Sequence, residues 1–304
     1  MKKKYNGVIV PMVTPVTRDR KLDEDSIVKI CDYLSKSGVS ILVLGTTGES
    51  TSVSVEESKR LIKLASETVA GRVNLYAGIS GNCLEENIRN AKAYIQSGAD
   101  VIVSILPYYY PLTPEQMVLY FKTLAERINF PMMVYNIPST TKMSIPVEVV
   151  DELSKVKHIC GFKDSERDEA RMEQCVKLFK DRENFSYFLG YAAISAKALK
   201  LGADGLVPST GNFVPGMFHS MCEYAEALNW QKVEQLQTET DVIAKIYQSG
   251  RTLGNSLQAL KVMMSVQGLC QPFALPPLTD LDTVEQEKIV KETEVIIDKY
   301  QIQC

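Results

Sequence analysis

Two kinds of hydrophobic pattern alternate along the first two thirds of the chain. Short apolar runs rich in β-branched residues are followed by longer stretches in which charged residues recur at helical spacing. The apolar runs predict eight β-strands, at residues 7–12, 39–44, 73–77, 101–104, 132–135, 159–163, 186–189 and 205–207. Helices are predicted between them, for example at residues 23–37, 55–70, 84–96, 114–127 and 166–179. This repetition indicates an α/β fold with a parallel sheet.

The count of eight strands predicts how the sheet is closed. Eight parallel strands joined by right-handed crossovers form a (β/α)8 barrel, the TIM barrel. A doubly wound open sheet is the alternative, but it would need a glycine-rich dinucleotide loop after the first strand, and residues 13–16 (VTPV) do not provide one. We therefore expect the barrel to be the catalytic domain, over residues 1–228.

The pattern changes near residue 216, where the strand signals stop. From there the chain shows only helical patterns, at residues 217–228, 231–247, 257–266 and 284–300. We expect a C-terminal helical extension over residues 229–304, after the barrel domain. The composition contains no low-complexity linker between the two parts, so they are predicted to unfold as one unit.

Composition and charge narrow the class of partner. The chain has 304 residues, of which 45% are hydrophobic and 23% charged, and its formal net charge is −3. This balance argues against nucleic acid or an anionic membrane as the main partner and favours a small-molecule substrate. No apolar run is long enough to cross a membrane, and residues 8–13 are too short for the core of a signal peptide. We expect a cytoplasmic protein.

The cysteines and histidines give no indication of a metal site. The seven cysteines are scattered without a CxxC pair and are interpreted as reduced, mostly buried thiols. The two histidines, His158 and His219, do not cluster with other potential ligands, so we expect neither a metal nor another cofactor.

Lys163 is the first candidate for chemistry. It follows the apolar run of the predicted sixth strand, within residues 158–165 (HICGFKDS). Burial at a strand end lowers the pKa of a lysine, and a neutral amine can attack a ketone to form a Schiff base. The alternative is a lysine that extends its charge into solvent.

Three other strand ends carry polar or aromatic motifs. In a barrel, chemistry takes place at the carboxyl ends of the strands. Residues 45–50 (GTTGES) form a tight turn with free amides, residues 107–111 (PYYYP) hold three tyrosines, and residues 135–141 (YNIPSTT) place Tyr135 next to the predicted strand of Lys163. An ordinary turn and rim packing are the alternatives for the first two motifs. Charged residues such as those at 166–171 are interpreted as a solvated helix face.

Together, GTTGES at 45–50, YYYP at 108–111, YNIP at 135–138 and GFKD at 161–164 resemble the dihydrodipicolinate synthase/N-acetylneuraminate lyase family. This family comprises pyruvate-handling class I aldolases with a (β/α)8 fold. The resemblance covers essentially the whole chain. It implies that Lys163 forms an imine with pyruvate or with a 2-keto acid that releases pyruvate.

The resemblance also implies roles for other residues. Tyr135 would relay protons, Thr46 and Thr47 would hold the pyruvate carboxylate, and Tyr109 would reach into a neighbouring subunit and complete a Thr47–Tyr135–Tyr109 relay. That role implies a homo-oligomer, a dimer or a tetramer. In addition, Gly190 and Val207 align loosely with backbone groups that line the family's pocket.

The substrate is indicated by a departure from the family's synthase branch. That branch has an arginine, which binds the carboxylate of aspartate semialdehyde, at the position of Thr140. Ser139, Thr140 and Thr141 instead offer three hydroxyls, which suit a polyhydroxylated substrate. A 2-keto-3-deoxy sugar acid aldolase or lyase is therefore the first expectation. Dihydrodipicolinate synthase, a sugar-acid dehydratase and a catalytically retired pyruvate-binding barrel are the alternatives.

Overall fold

A computed structural model describes residues 2–302 of the chain. Within these residues, eight parallel strands form a closed barrel in which each strand pairs with the next and the eighth pairs with the first. The strands are β1 (Gly7–Pro11), β2 (Ser40–Val43), β3 (Leu75–Ile79), β4 (Val101–Ile105), β5 (Met132–Asn136), β6 (Ile159–Asp164), β7 (Ser186–Leu189) and β8 (Gly205–Leu206). The predicted (β/α)8 barrel is confirmed.

Helices surround the barrel and continue beyond it. Those that follow the strands are α1 (Glu24–Lys36), α2 (Val55–Val69), α3 (Leu84–Gln96), α4 (Pro114–Ile128), α5 (Pro138–Thr141), α6 (Val147–Leu153), α7 (Glu169–Phe179), α8 (Ser195–Leu201) and α9 (Pro215–Glu226). The C-terminal extension consists of α10 (Trp230–Gln248), α11 (Leu253–Val266) and α12 (Thr283–Tyr300). The predicted helical extension is thus present, and the division into two domains at residue 228 stays a prediction.

Several predicted boundaries were wrong, among them the start of α11, which is at Leu253 instead of residue 257. Two others were wrong because hydrogen bonds, rather than apolar content, set them. β3 begins at Leu75 instead of residue 73, where Leu75 pairs with Ile41 and its amide donates to Asp100 Oδ2 at 2.8 Å. α7 begins at Glu169 instead of residue 166, because the Asp168 carboxylate caps the helix by accepting from the Arg171 amide at 3.0 Å. Residues 166–168 therefore belong to the loop after β6.

A register shift in the barrel wall brings Lys163 to the inner face. Cys160 belongs to the apolar cluster inside the barrel, whereas Phe162 packs in the outer layer against the helices. Cys160 and Lys163 are three residues apart, a spacing that puts side chains on opposite faces of a regular strand. The register between β5 and β6 shifts at Met132/Met133, which puts Lys163 opposite the inward-facing Tyr135.

The helical extension is joined to the barrel by a buried ion pair. Lys261 on α11 contacts the carboxylate of Glu49, which lies in the loop after β2, and neither side chain is exposed to solvent. The same ammonium donates to Phe273 O at 2.8 Å, and Glu49 Oε2 accepts from the Leu275 amide at 2.7 Å. The extension therefore reaches the loop that carries Thr46 and Thr47.

The structure of residues 2–302 bears on the expectations about membrane helices, metal sites and cysteines. No helix in this part of the chain is long and apolar enough to cross a membrane. It also contains no group of three or more His, Cys, Asp or Glu side chains arranged to hold a metal ion. Six of the seven cysteines lie within it as free thiols, and only Cys83 of these is exposed. Cys304 lies outside the described residues.

Candidate active site

A cavity of about 760 Å³ opens at the carboxyl end of the barrel. Its wall combines the ends of β2, β5, β6, β7 and β8 with residues of α10. The predicted site residues in this wall are Thr46, Thr47, Tyr135, Ser139, Lys163, Gly190 and Val207. The fold thus brings seven of the ten predicted residues to one cavity.

Lys163 is held in surroundings that favour its neutral form. Its side chain lies on β6 and is only 3% exposed. The ammonium nitrogen is 3.7 Å from the centre of the Tyr135 ring, and no carboxylate of the described residues lies within ion-pair distance. Burial lowers the pKa of Lys163, and interaction with Tyr135 opposes that shift only in part. The site therefore presents an amine that can act as a nucleophile.

Tyr135 lies beside Lys163 because the two residues are partners in the β5–β6 ladder. The phenol oxygen is 3.5 Å from Thr46 Oγ1 and 3.4 Å from Ser165 Oγ. Both contacts are longer than an ordinary O–H···O bond, as is common for catalytic hydrogen bonds that tighten when substrate binds. The phenol can exchange protons with the hydroxyls around it.

The structure changes the predicted order of the proton relay. Thr46, not Thr47, brings its hydroxyl to Tyr135, and no hydrogen bond joins Thr47 to Tyr135 in the described chain. Tyr109 is 73% exposed, packs edge-on against Tyr110 and is absent from the cavity wall. The predicted Thr47 link is corrected to Thr46, whereas the role of Tyr109 requires a second subunit and stays a prediction.

The loop that carries the two threonines is tightly closed. Gly48 N donates to Gly45 O at 3.0 Å, and the Thr14 hydroxyl donates to Gly48 O at 2.6 Å. A Cβ at Gly48 would lie 3.0 Å from Met12 O, so a larger residue there would displace the backbone. The loop therefore holds Thr46 and Thr47 against the cavity.

The three hydroxyls predicted after β5 do not act together. Ser139 lines the cavity, but Thr140 is exposed and its hydroxyl donates to Ile137 O at 3.2 Å. Thr141 is buried and bonds to Ile137 O and Met143 O. The expectation that Thr140 and Thr141 form the cavity rim was wrong, because the short helix α5 uses both hydroxyls for its own backbone.

Gly190 is required by the close approach of Ser165, a residue that the sequence interpretation missed. A Cβ at Gly190 would lie only 2.1 Å from Ser165 Oγ and 3.1 Å from Asp164 O. The Gly190 amide donates to Asp164 O at 2.6 Å. Ser165 follows Lys163 by two residues, and this position at the strand end was the available signal.

Replacing Gly190 by alanine is expected to lower the free energy of unfolding by about 1–3 kcal/mol, because the new methyl group overpacks against Ser165. Urea denaturation would measure the change. The Ser165→Ala/Gly190→Ala double variant should recover part of the loss, since Asp164 O stays 3.1 Å from the new Cβ. As a control, Gly216→Ala adds a Cβ in α9 that meets no atom of another element within 4 Å, and it should not destabilise the protein. Equal stability of Gly190→Ala and wild type would contradict the packing argument.

A buried polar network supports β5 and β6 behind the reactive lysine. Arg171 Nε donates to Asp164 Oδ2 at 2.7 Å, and Asn136 Nδ2 donates to Asp164 Oδ1 at 2.8 Å. Burial raises the pKa of Asp164, and the Arg171 guanidinium opposes that shift. Asn136 and Ser144 also bond to Glu166 Oε2. The interpretation of residues 166–171 as a solvated face was therefore wrong for Arg171 and partly wrong for Glu166, whereas residues 167–170 are exposed as predicted.

Other cavity residues could not be recognised from the sequence. They include Arg167 and Tyr191 from the loops after β6 and β7, and Tyr247 from α10. The Tyr247 hydroxyl bonds to Ser209 at 2.8 Å and to Thr210 at 2.9 Å, next to β8. Residues of α10 carry no local signal for this position, because only the packing of the extension brings them to the barrel.

Comparison with known proteins shows similarity over nearly the whole chain. A model of the dihydrodipicolinate synthetase family matches residues 4–296. A 4-hydroxy-tetrahydrodipicolinate synthase from Nitrosomonas europaea is 33% identical over 235 residues, which cover 77% of this chain and 80% of that protein. These matches extend well beyond the motifs at the strand ends.

Two solved structures show the same architecture. Dihydrodipicolinate synthase from Bacteroides thetaiotaomicron has a TM-score of 0.91 and 29% identity, covering 97% of this chain and 100% of its own. YagE, a prophage protein of the dihydrodipicolinic acid synthase family from E. coli K12, was solved in complex with pyruvate. It has a TM-score of 0.90 and 26% identity, covering 98% of this chain and 99% of its own.

Proposed function

The chain belongs to the dihydrodipicolinate synthetase family, whose members are lyases and synthases of the class I aldolase type, and we propose that it acts on a 2-keto-3-deoxy sugar acid. The proposed reaction cleaves or forms a carbon–carbon bond through an imine between Lys163 and the keto carbon. The observation that carries this proposal is the buried Lys163 amine, 3.7 Å from the centre of the Tyr135 ring. No cofactor is needed in this chemistry.

The proposed cleavage can be written with its protons and electrons balanced. The Lys163 amine attacks C2 of the substrate, and the Tyr135 phenol supplies the proton with which the C2 oxygen leaves as water, so that a protonated imine and a phenolate remain. Tyr135 accepts the proton of the C4 hydroxyl, the C3–C4 bond breaks, and its electron pair forms the enamine of pyruvate while an aldehyde leaves. Protonation of C3 and hydrolysis of the imine then release pyruvate and the free amine. The reverse sequence forms the bond.

The residues around Tyr135 support this sequence. Thr46 and Ser165 surround the phenol and can pass protons to and from it. Thr46 and Thr47 lie in the wall near Lys163, where hydroxyls and loop amides suit the carboxylate of the 2-keto acid. Tyr135 therefore has the position of a proton relay in the proposed reaction.

The choice of a sugar acid rests on the polar groups of the cavity. Thr140 cannot make the bidentate contact that an arginine makes with a carboxylate, and its side chain is absent from the wall. Ser139, Ser165 and Ser209 do line the cavity and offer hydroxyls to a polyhydroxylated chain. The names of the relatives favour a second candidate, 4-hydroxy-tetrahydrodipicolinate synthase, which would condense pyruvate with aspartate semialdehyde.

Borohydride trapping followed by a substrate screen tests the proposal. The protein is incubated with pyruvate and borohydride, and the modified peptide is identified by mass spectrometry. We expect a pyruvate-sized adduct on Lys163, together with release of pyruvate from a 2-keto-3-deoxy sugar acid. Condensation with aspartate semialdehyde would favour the synthase, and loss of water without cleavage would favour a dehydratase. Absence of an adduct would overturn the Schiff-base proposal.

Imine formation is expected to become faster with rising pH and to level off below pH 10.5, the ordinary pKa of lysine. Only the neutral amine attacks the ketone, and burial lowers the pKa of Lys163, so the rise in rate moves to lower pH. The rate of pyruvate imine formation, followed by rapid mixing across the pH range, measures the midpoint. A midpoint at or above 10.5 would contradict the effect of burial.

We also propose that the protein is a homo-oligomer, a dimer or a tetramer, in which Tyr109 contacts the site of a neighbouring subunit. The proposal is supported by three consecutive exposed tyrosines, Tyr108, Tyr109 and Tyr110. Aromatic residues are enriched in protein interfaces. Light scattering at several protein concentrations tests the assembly, and a monomer at every concentration would exclude it.

A further inference from the structure

The cavity wall is more basic than the rest of the protein. Four basic side chains line it, against two acidic ones, although the chain as a whole has a formal net charge of −3. The basic residues are Lys163, Arg167, Lys245 and Arg251, and the acidic ones are Glu166 and Asp241. Even with Lys163 in its neutral form, the three remaining basic groups outnumber the two acidic ones, so the wall favours an anionic ligand.

Most of these charges already have partners within the protein. Glu166 accepts hydrogen bonds from Asn136 and Ser144. Arg251 donates to Glu285 Oε1 at 2.8 Å and to Ile246 O at 2.7 Å. Asp241 accepts from Gln237 and lies one helical turn before Lys245, with which it interacts electrostatically. These charged groups are therefore already hydrogen-bonded or paired within the protein.

Arg167 differs from the other basic residues of the wall. It is exposed in the loop after β6, and its guanidinium lies 5.4 Å from the centre of the Tyr191 ring. Within the described residues no carboxylate forms an ion pair with it, whereas neighbouring Arg171 is bound to Asp164. The contact with Tyr191 holds the guanidinium near the ring, and none of its N–H groups donates a hydrogen bond to another group of the described residues.

We propose that Arg167, supported by Tyr191, binds an anionic group at the end of the substrate remote from the keto carbon. This inference rests on the proposed function and refines its substrate class to 2-keto acids that end in a carboxylate or a phosphate. A planar guanidinium binds either group through two parallel hydrogen bonds. Arg167 lies four residues after Lys163, so their Cα atoms are at most about 14 Å apart. One short-chain substrate can therefore contact both side chains.

Arg167 would supply a positive charge to the cavity, which Thr140 does not. Thr140 is outside the cavity wall and can offer no positive charge. Arg167 lies on the neighbouring side of the cavity, after β6 instead of after β5. The position of the anion-binding group would determine which aldehyde-derived part of the substrate fits into the cavity.

A matched pair of six-carbon 2-keto acids tests the inference directly. 2-Ketohexanoate ends in a methyl group and 2-ketoadipate ends in a carboxylate, and both can be trapped on Lys163 by borohydride. We expect Arg167→Gln to raise the half-saturating concentration of 2-ketoadipate by about 10- to 100-fold, since a charge-assisted hydrogen bond is lost. The half-saturating concentrations of 2-ketohexanoate and pyruvate should change less than about threefold, which is the usual size of the effect of a surface substitution.

Control variants separate binding of the anion from general effects. Arg18→Gln removes another exposed arginine that forms no ion pair in the described chain and is absent from the cavity wall, and it should leave both acids unaffected. Arg167→Lys should retain part of the preference for 2-ketoadipate, because the positive charge remains but the two parallel hydrogen bonds of a guanidinium are lost. Equal weakening of both acids, or no change for either, would overturn the inference.

The same experiment separates this inference from the proposed function. A pyruvate adduct on Lys163 without a preference for 2-ketoadipate would overturn the anion site and leave the Schiff-base proposal intact. Absence of any adduct would overturn both. Turnover of 2-keto-3-deoxyglucarate and of 2-keto-3-deoxygluconate 6-phosphate, compared in wild type and Arg167→Gln, would then distinguish a terminal carboxylate from a terminal phosphate.

Discussion

Lys163→Met is expected to abolish imine formation and to reduce turnover by roughly 10⁴-fold or more, as removal of a covalent nucleophile does in other enzymes. The methionine side chain has a similar length but no amine, so the keto acid can enter the cavity without being activated. The expected defect is therefore in kcat, with pyruvate binding largely retained. Borohydride trapping and steady-state kinetics measure the two effects.

The Lys163→Met variant is expected to fold at least as well as wild type. A lowered pKa means that the folded protein binds fewer protons at this site than the unfolded chain. The resulting loss of stability is greatest at low and neutral pH and disappears as pH rises to the ordinary lysine value. Methionine carries no charge and therefore removes this loss of stability, so the free energy of unfolding at neutral pH should stay the same or rise.

A second lysine near β6 serves as the control. Lys157 precedes β6 and is exposed at the amino end of the barrel. Lys157→Met should retain both the adduct and turnover. Turnover of Lys163→Met near that of wild type, or a pyruvate adduct on a different residue, would contradict the assignment of Lys163.

Lys261→Met is expected to lower the free energy of unfolding by about 3–5 kcal/mol, because it leaves the fully buried Glu49 carboxylate without a counter-charge. This is a large part of the roughly 5–15 kcal/mol that stabilises a typical domain. Urea denaturation monitored by circular dichroism measures the loss.

Two further variants test whether the buried charge is the cause. In Glu49→Gln/Lys261→Met the charge is removed, and the glutamine oxygen can still accept from the Leu275 amide, so part of the stability should return. Lys63→Met breaks an exposed pair with Glu67, whose side chains are 71% and 62% exposed, and should have almost no effect. If the double variant is less stable than Lys261→Met, lost packing is the better explanation.

The Glu49–Lys261 pair also explains why the extension matters to the site. Glu49 belongs to the loop that holds Thr46 and Thr47, and Lys261 belongs to α11 in the extension. Movement of α11 would therefore leave a buried carboxylate unpaired beside the site. This contact joins the extension to the candidate site, whereas the sequence alone predicted one unfolding unit without indicating the ion pair.

The barrel was predictable because its signals are local. Apolar runs of three to six residues, separated by helical patterns, are visible without knowledge of any contact. The same holds for Lys163 at the end of the sixth run. The start of β3 was not predictable, because Val73 is as apolar as the strand but lies outside the pairing that begins at Leu75.

The sequence by itself determined the architecture and led to the proposal of imine chemistry. Eight strand-like runs without a dinucleotide loop favour a closed sheet, and this conclusion depends on periodicity and order along the chain. The proposal of imine chemistry depends on a lysine and a tyrosine at adjacent strand ends and on the motifs that resemble a known family.

Only the tertiary structure decided which groups meet. It brought Thr46 to Tyr135, left Thr140 out of the cavity wall, buried Arg171 against Asp164 and added Arg167 to the wall. The contact of Thr46 with Tyr135 joins residues far apart in the chain, as does the register shift between β5 and β6, whereas Thr140 bonds within its own short helix. Side-chain direction follows from such long-range packing, and for that reason a one-dimensional pattern cannot specify it.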